Sequence, residues 1–112
     1  METNSELGYK ILSPVDYRRA IKSPDVYLVD VRTPEEYGSG HIEGASNLDV
    51  TQPDFSAESL KDLPKDKTIA VYCKSGKRAG MAAEILSKEG FNVIDLEGGI
   101  EAWIAAGFPV TK

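Results

Sequence analysis

Thr68-Ile69-Ala70-Val71-Tyr72-Cys73-Lys74-Ser75-Gly76-Lys77-Arg78-Ala79-Gly80 carries the chain from a strand through a loop into a helix. Thr68–Tyr72 is a short apolar run with β-branched residues, the length of a buried strand and too short for a helix. From Arg78 onward Ala79, Ala82, Ala83 and Leu86 return at helical spacing, and Gly90 is placed to cap that helix. A buried strand that feeds a helix in this way belongs to a parallel sheet, because parallel neighbours need a crossover connection.

The alternation continues in both directions. Upstream, Val26–Val31 (VYLVDV) is another buried strand, ended by Arg32-Thr33-Pro34, and Thr33-Pro34-Glu35-Glu36 opens a short helix that Gly38 and Gly40 stop. Tyr9–Leu12 is a candidate first strand, and Ser13-Pro14 supplies the N-cap and N1 proline of a helix running to about Lys22. A short strand around Ala45–Leu48 and a helix around Ser56–Leu63 are expected next, with Pro53 and Pro64 as punctuation. Downstream, Phe91–Leu96 (FNVIDL) reads as a strand and Ile100–Ala106 as a helix. The pattern predicts an α/β fold, with a polar segment, 1–8, ahead of one domain, 9–112.

Composition bounds the chemistry. A chain of 112 residues, 41% apolar and 28% charged, fits one compact domain. Its single cysteine, Cys73, and single histidine, His41, rule out an intramolecular disulfide, a zinc finger, an iron–sulfur site or a C-x-x-C redox pair. A net charge of −5 argues against a general nucleic-acid or anionic-membrane binder. No apolar run approaches the roughly 20 residues of a membrane span, and Met1–Tyr9 lacks the basic and apolar parts of a signal peptide. The expected location is the cytoplasm, or the periplasm if a leader has been removed ahead of Met1.

Cys73 stands where an open α/β sheet binds its ligands, at the carboxyl end of a strand. The following loop and helix start offer backbone N–H groups and a helix dipole, which together make an anion cradle. From Lys67 through Ala83 there are four cations (Lys67, Lys74, Lys77, Arg78) and no acid, so this stretch is +4 and the rest of the chain −9. Such surroundings favour a thiolate over a thiol and mark Cys73 as a nucleophile for an anionic substrate. A phosphate-binding P-loop is excluded, since Val71 stands where its first glycine should be and Arg78 where Ser or Thr should hold magnesium. Gly38-Ser39-Gly40 is not a dinucleotide fingerprint, because the third glycine would fall at Glu43. His41-Ile42-Glu43 imitates the H-x-E of zinc deaminases without their P-C-x-x-C.

Three blocks resemble the single-domain rhodanese family of thiosulfate-type sulfurtransferases. They are Val29–Tyr37 with Gly40–Asn47, Tyr72–Ala79, and Leu96-Glu97-Gly98-Gly99-Ile100-Glu101-Ala102-Trp103. The resemblance implies a doubly wound domain with a central five-stranded parallel sheet and helices on both faces. It also implies an active-site loop from Cys73 to Arg78, with Cys73 catalytic and Lys74, Ser75, Gly76, Lys77 and Arg78 binding substrate. The spacing here, C-x4-R, resembles the six-residue loop of sulfurtransferases. Dual-specificity phosphatases and arsenate reductases on the same fold are the enzymatic alternative, and the phosphatases carry a loop one residue longer.

The implied reaction moves sulfane sulfur from thiosulfate or a related anionic donor to cyanide or a thiol, the thiol free or on a protein, through a Cys73 persulfide and without a cofactor. A persulfide carrier that serves a dedicated partner and turns over little thiosulfate is the alternative of another class. Arg78 either meets the donor or braces the loop against Asp30 or Glu97. Asp30, Arg32 and His41 read as structural, and Trp103 as core. Neither nucleic acid nor membrane is expected as a partner.

Overall fold

The computed structural model describes residues 9–49, 63–75 and 77–112, with residues 77 and 78 described through their backbone alone. The expected polar segment 1–8 and most of the helix expected around Ser56–Leu63 lie outside these residues. The elements in chain order are β1 (Lys10–Leu12), α1 (Pro14–Ile21), β2 (Val26–Asp30), α2 (Pro34–Ser39), β3 (Ser46–Asn47), β4 (Thr68–Tyr72), α3 (Lys77–Lys88), β5 (Asn92–Leu96) and α4 (Gly99–Ala105). The strands form one five-stranded sheet in the order β1-β5-β4-β2-β3, with every pairing parallel. This is the expected doubly wound α/β architecture, with β4 at the centre.

Side chains alternate across the sheet as the pleat requires. Ile69 and Val71 of β4 join Val29, Val93, Ala79, Ala82, Ala83 and Leu86 in a core under α3. Ala70 and Tyr72 join Tyr17, Leu28, Ile94, Leu96, Ile100 and Trp103 in a second core under α1 and α4. The strands read as continuous apolar runs because both faces are covered. Tyr17 is fully buried, and its hydroxyl donates to the Val71 carbonyl at 3.0 Å, so α1 is pinned to the central strand by a polar bond inside the apolar layer.

Helix starts follow the local chemistry. Ser13 caps α1 through a hydrogen bond from the Asp16 N–H, and proline occupies the first turn. Thr33 and Glu36 form a reciprocal capping box at α2. Several strands are shorter than the apolar pattern suggested. Tyr9 and Phe91 fall just outside β1 and β5, while Val31 is buried and still donates to the Tyr72 carbonyl, but its strand ends at Asp30. The ladder stops there because the chain turns sharply to bring Arg32 back onto Asp30.

Candidate active site

Two turns at the carboxyl edge of the sheet frame the site. The first follows β2. Arg32 donates from its backbone N–H and Nε to Asp30 Oδ1 at 2.9 and 3.0 Å, and from Nη2 to Asp30 Oδ2 at 2.6 Å. The same Nη2 donates to the Gly40 carbonyl, and Asn47 Nδ2 donates to the carbonyls of Asp30 and Arg32. Burial works against the charge on Arg32, yet its bonds to Asp30 prevail and hold the guanidinium above its ordinary range. Asp30 is therefore committed to a buried ion pair with Arg32.

Tyr72 and His41 fasten the neighbouring segment. The Ile42 N–H donates to the Tyr72 hydroxyl at 3.0 Å, and burial together with the nearby Asp30 raises that hydroxyl well above the ordinary tyrosine range. His41 stacks on Tyr37 with ring centroids 3.9 Å apart, and its Nδ1 lies 3.0 Å from the Tyr37 carbonyl. Its backbone exchanges two 2.8 Å hydrogen bonds with Thr111. These contacts give His41 a bracing role, as its place in the sequence suggested.

The second turn follows β4 and holds Cys73, which is 1% exposed and belongs to the core under α3. Lys74 and Ser75 are exposed, and α3 begins at Lys77. Gly76 and the side chains of Lys77 and Arg78 lie outside the described residues. The structure thus brings the thiol-bearing residue, the loop and the start of α3 to one sheet edge, the arrangement in which strand ends and helix starts receive anions.

The sequence reading left out what anchors this loop. The Ile100 N–H donates to the Cys73 carbonyl at 2.8 Å, and the Glu101 N–H donates to the Lys74 carbonyl at 3.1 Å. The first turn of α4 therefore uses otherwise unpaired N–H groups to hold the loop's first two carbonyls. Gly99, with positive φ and no Cβ to meet the two carbonyls, allows that approach. A glycine doublet one residue beyond a buried strand was the available signal, since two glycines at a helix start are entropically costly without a conformational or packing need.

Asp95 was also unmarked by the sequence. It lies on β5 in register with Val71, 5% exposed, and its Oδ1 has no hydrogen-bond partner among the described residues. Burial pushes its carboxyl up to about 7. Trp103 is a core residue as expected, and its Nε1 also donates to the Pro109 carbonyl at 2.8 Å. Among the described residues there is no cluster of three or more potential metal ligands, and no helix long and apolar enough to cross a membrane.

Known proteins share this arrangement. A sulfurtransferase from Allochromatium vinosum is 36% identical over 94 residues, covering 83% of this chain and 85% of the relative. A tRNA uridine(34) hydroxylase from Staphylococcus saprophyticus is 40% identical over 103 residues, and there the match covers 88% of this chain but 32% of the larger protein. A crystal structure of a rhodanese-related protein from Thermoplasma volcanium superposes with a TM-score of 0.81 at 37% identity, covering 92% of this chain and 98% of that one. With the model of the rhodanese-like domain matching residues 13–106, a span that takes in the β2 turn, the Cys73 loop and α4, the chain belongs to the rhodanese-like domain family.

Proposed function

We propose that the protein is a sulfurtransferase that moves sulfane sulfur through a persulfide on Cys73. The observation that carries this reading is the placement of Cys73 at the end of the central strand, with α3 beginning at Lys77. A loop this short encloses one sulfur atom more readily than a phosphate with its three peripheral oxygens. The sulfurtransferase from Allochromatium vinosum supports the same reading.

In the first half-reaction the Cys73 thiolate attacks the outer sulfur of thiosulfate. A sulfur–sulfur bond forms at Cys73, the bond to the sulfonate sulfur breaks, and sulfite leaves with the bonding pair. In the second half-reaction cyanide or a thiolate attacks the terminal persulfide sulfur, and Cys73 departs as thiolate. This is double displacement through a covalent intermediate. Backbone N–H groups of the loop stabilise the charge on the terminal sulfur as an oxyanion hole does for oxygen. In this reading Lys74, Ser75, Gly76, Lys77 and Arg78 bind the donor, the three cations by attracting its charge.

The test is direct. After incubation with thiosulfate, intact mass should show one added sulfur that reductant removes and that a Cys73→Ala variant never gains, and cyanide should then release thiocyanate. Turnover of an aryl phosphate with no sulfur loading would overturn the proposal. Loading with negligible thiocyanate turnover would instead identify a carrier that hands sulfur to a protein partner.

A further inference from the structure

Gly98 and Gly99 exclude side chains for different reasons. A Cβ on Gly98 would lie 2.6 Å from the Cβ of Ala102, an obstacle inside α4 itself. A Cβ on Gly99 would lie 2.5 Å from the Lys74 oxygen and 2.6 Å from the Cys73 oxygen. That second obstacle is loop backbone, which cannot swing aside as a flexible side chain does. The close approach is what brings the N–H groups of Ile100 and Glu101 within 2.8 and 3.1 Å of those two oxygens.

The described peptide bonds are all trans, and in a trans unit the carbonyl and the N–H point in opposite directions. Fixing the Cys73 carbonyl against α4 therefore turns the Lys74 N–H away from α4. Fixing the Lys74 carbonyl does the same to the Ser75 N–H. Two successive N–H groups aimed to one side form the beginning of an anion-binding concavity.

We propose that Gly99 is a positioning residue for the Cys73 loop: by admitting the α4 backbone against the Cys73 and Lys74 carbonyls, it aims the Lys74 and Ser75 N–H groups at the anionic sulfur carried by Cys73. Its role in turnover rests on the sulfurtransferase reading, whereas the aim of the N–H groups is measurable without it. Gly99→Ala presses on the two carbonyls. Glu101→Pro removes the N–H that reaches the Lys74 carbonyl and puts a ring carbon in its place, in a first helical turn where that N–H has no partner within the helix. A Gly98→Ala/Ala102→Gly pair is the control, since it imposes a left-handed alanine while relieving its own clash.

Each variant that unfolds cooperatively in urea is assayed in two ways. One is the rate of sulfur loading at saturating thiosulfate, and the other is the ratio of Cys73 alkylation rates by anionic iodoacetate and neutral iodoacetamide. Gly99→Ala and Glu101→Pro should each lose at least about tenfold in loading. Their iodoacetate preference should fall severalfold, although Glu101→Pro also removes a negative charge that opposes anion approach. The control should keep both values within about twofold. Folded Gly99→Ala or Glu101→Pro with wild-type values would overturn the proposal, as would a control that loses as much as Gly99→Ala. If Gly99→Ala does not fold, Glu101→Pro decides. If the parent protein loads no sulfur, the sulfurtransferase reading fails and the alkylation ratio alone decides the role of Gly99.

Discussion

Asp95 interrupts the apolar run of β5 with a carboxyl that burial strips of water, and its Oδ1 finds no hydrogen bond among the described residues in exchange. Its folded pKa is pushed up to about 7 from an ordinary 3.8. Below pH 3.8 the group is neutral in both the folded and unfolded chain and costs nothing. As the pH rises towards 7 the unfolded chain releases this proton while the folded one keeps it, so stability falls, and above pH 7 the loss is constant. Asp95→Asn removes the titration. Its stability relative to the parent should improve by about 2–3 kcal/mol between pH 5 and pH 8. Urea midpoints at the two pH values check this, and an unchanged difference would show that the folded carboxyl titrates normally. At this scale Cys73 stood out as a candidate because a lone thiol, a loop glycine and three cations are adjacent in sequence. Asp95 and Gly99 did not, because their significance comes from β4 and the Cys73 loop, which are distant in sequence.

The elements differ in what sustains them. α3 buries Ala79, Ala82, Ala83 and Leu86, whereas α2 has no buried residue and depends on its cap and its connections. Thr33 accepts from the Glu36 N–H at 3.3 Å, and Glu36 accepts from the Thr33 N–H at 3.1 Å. Thr33→Ala should therefore destabilise the protein by about 1 kcal/mol, with Thr33→Ser close to the parent. Thermal or urea unfolding measures both, and an Ala variant as stable as the Ser variant would exclude the cap as the support of α2. Capped helices and doubly buried strands were readable from sequence because their signals are local. The ends of β3 were not: in Ser46–Asn47, shorter than the expected strand, the Tyr37 hydroxyl takes the Ala45 carbonyl just ahead of it and the Asn47 side chain ties the strand to the β2 turn. These bonds join segments whose partnership no short window of sequence displays.

Over the whole molecule, a −9 surround meets a +4 stretch that includes the Cys73 loop. Such contrast attracts a small dianion locally while the mean field repels it, and dissolved salt weakens both effects over roughly 10 Å at 0.1 M. Replacing Lys74 and Lys77 together by alanine should raise the thiosulfate KM severalfold and flatten its dependence on ionic strength. Steady-state kinetics across a salt series test this, and an unchanged KM with an unchanged slope would rule out capture by these lysines. The five-stranded α/β sheet was legible in the alternation of strands and helices, but its order, β1-β5-β4-β2-β3, was not, because periodicity does not say which strands are neighbours. That order also constrains biosynthesis. β4 can pair with β2 as soon as it emerges, but its other neighbour, β5, and the α4 turn that holds the Cys73 carbonyl are made later. A nascent chain that has just exposed Cys73 consequently has a thiol without its finished loop, and the loop is anchored only after the sheet closes on its other side.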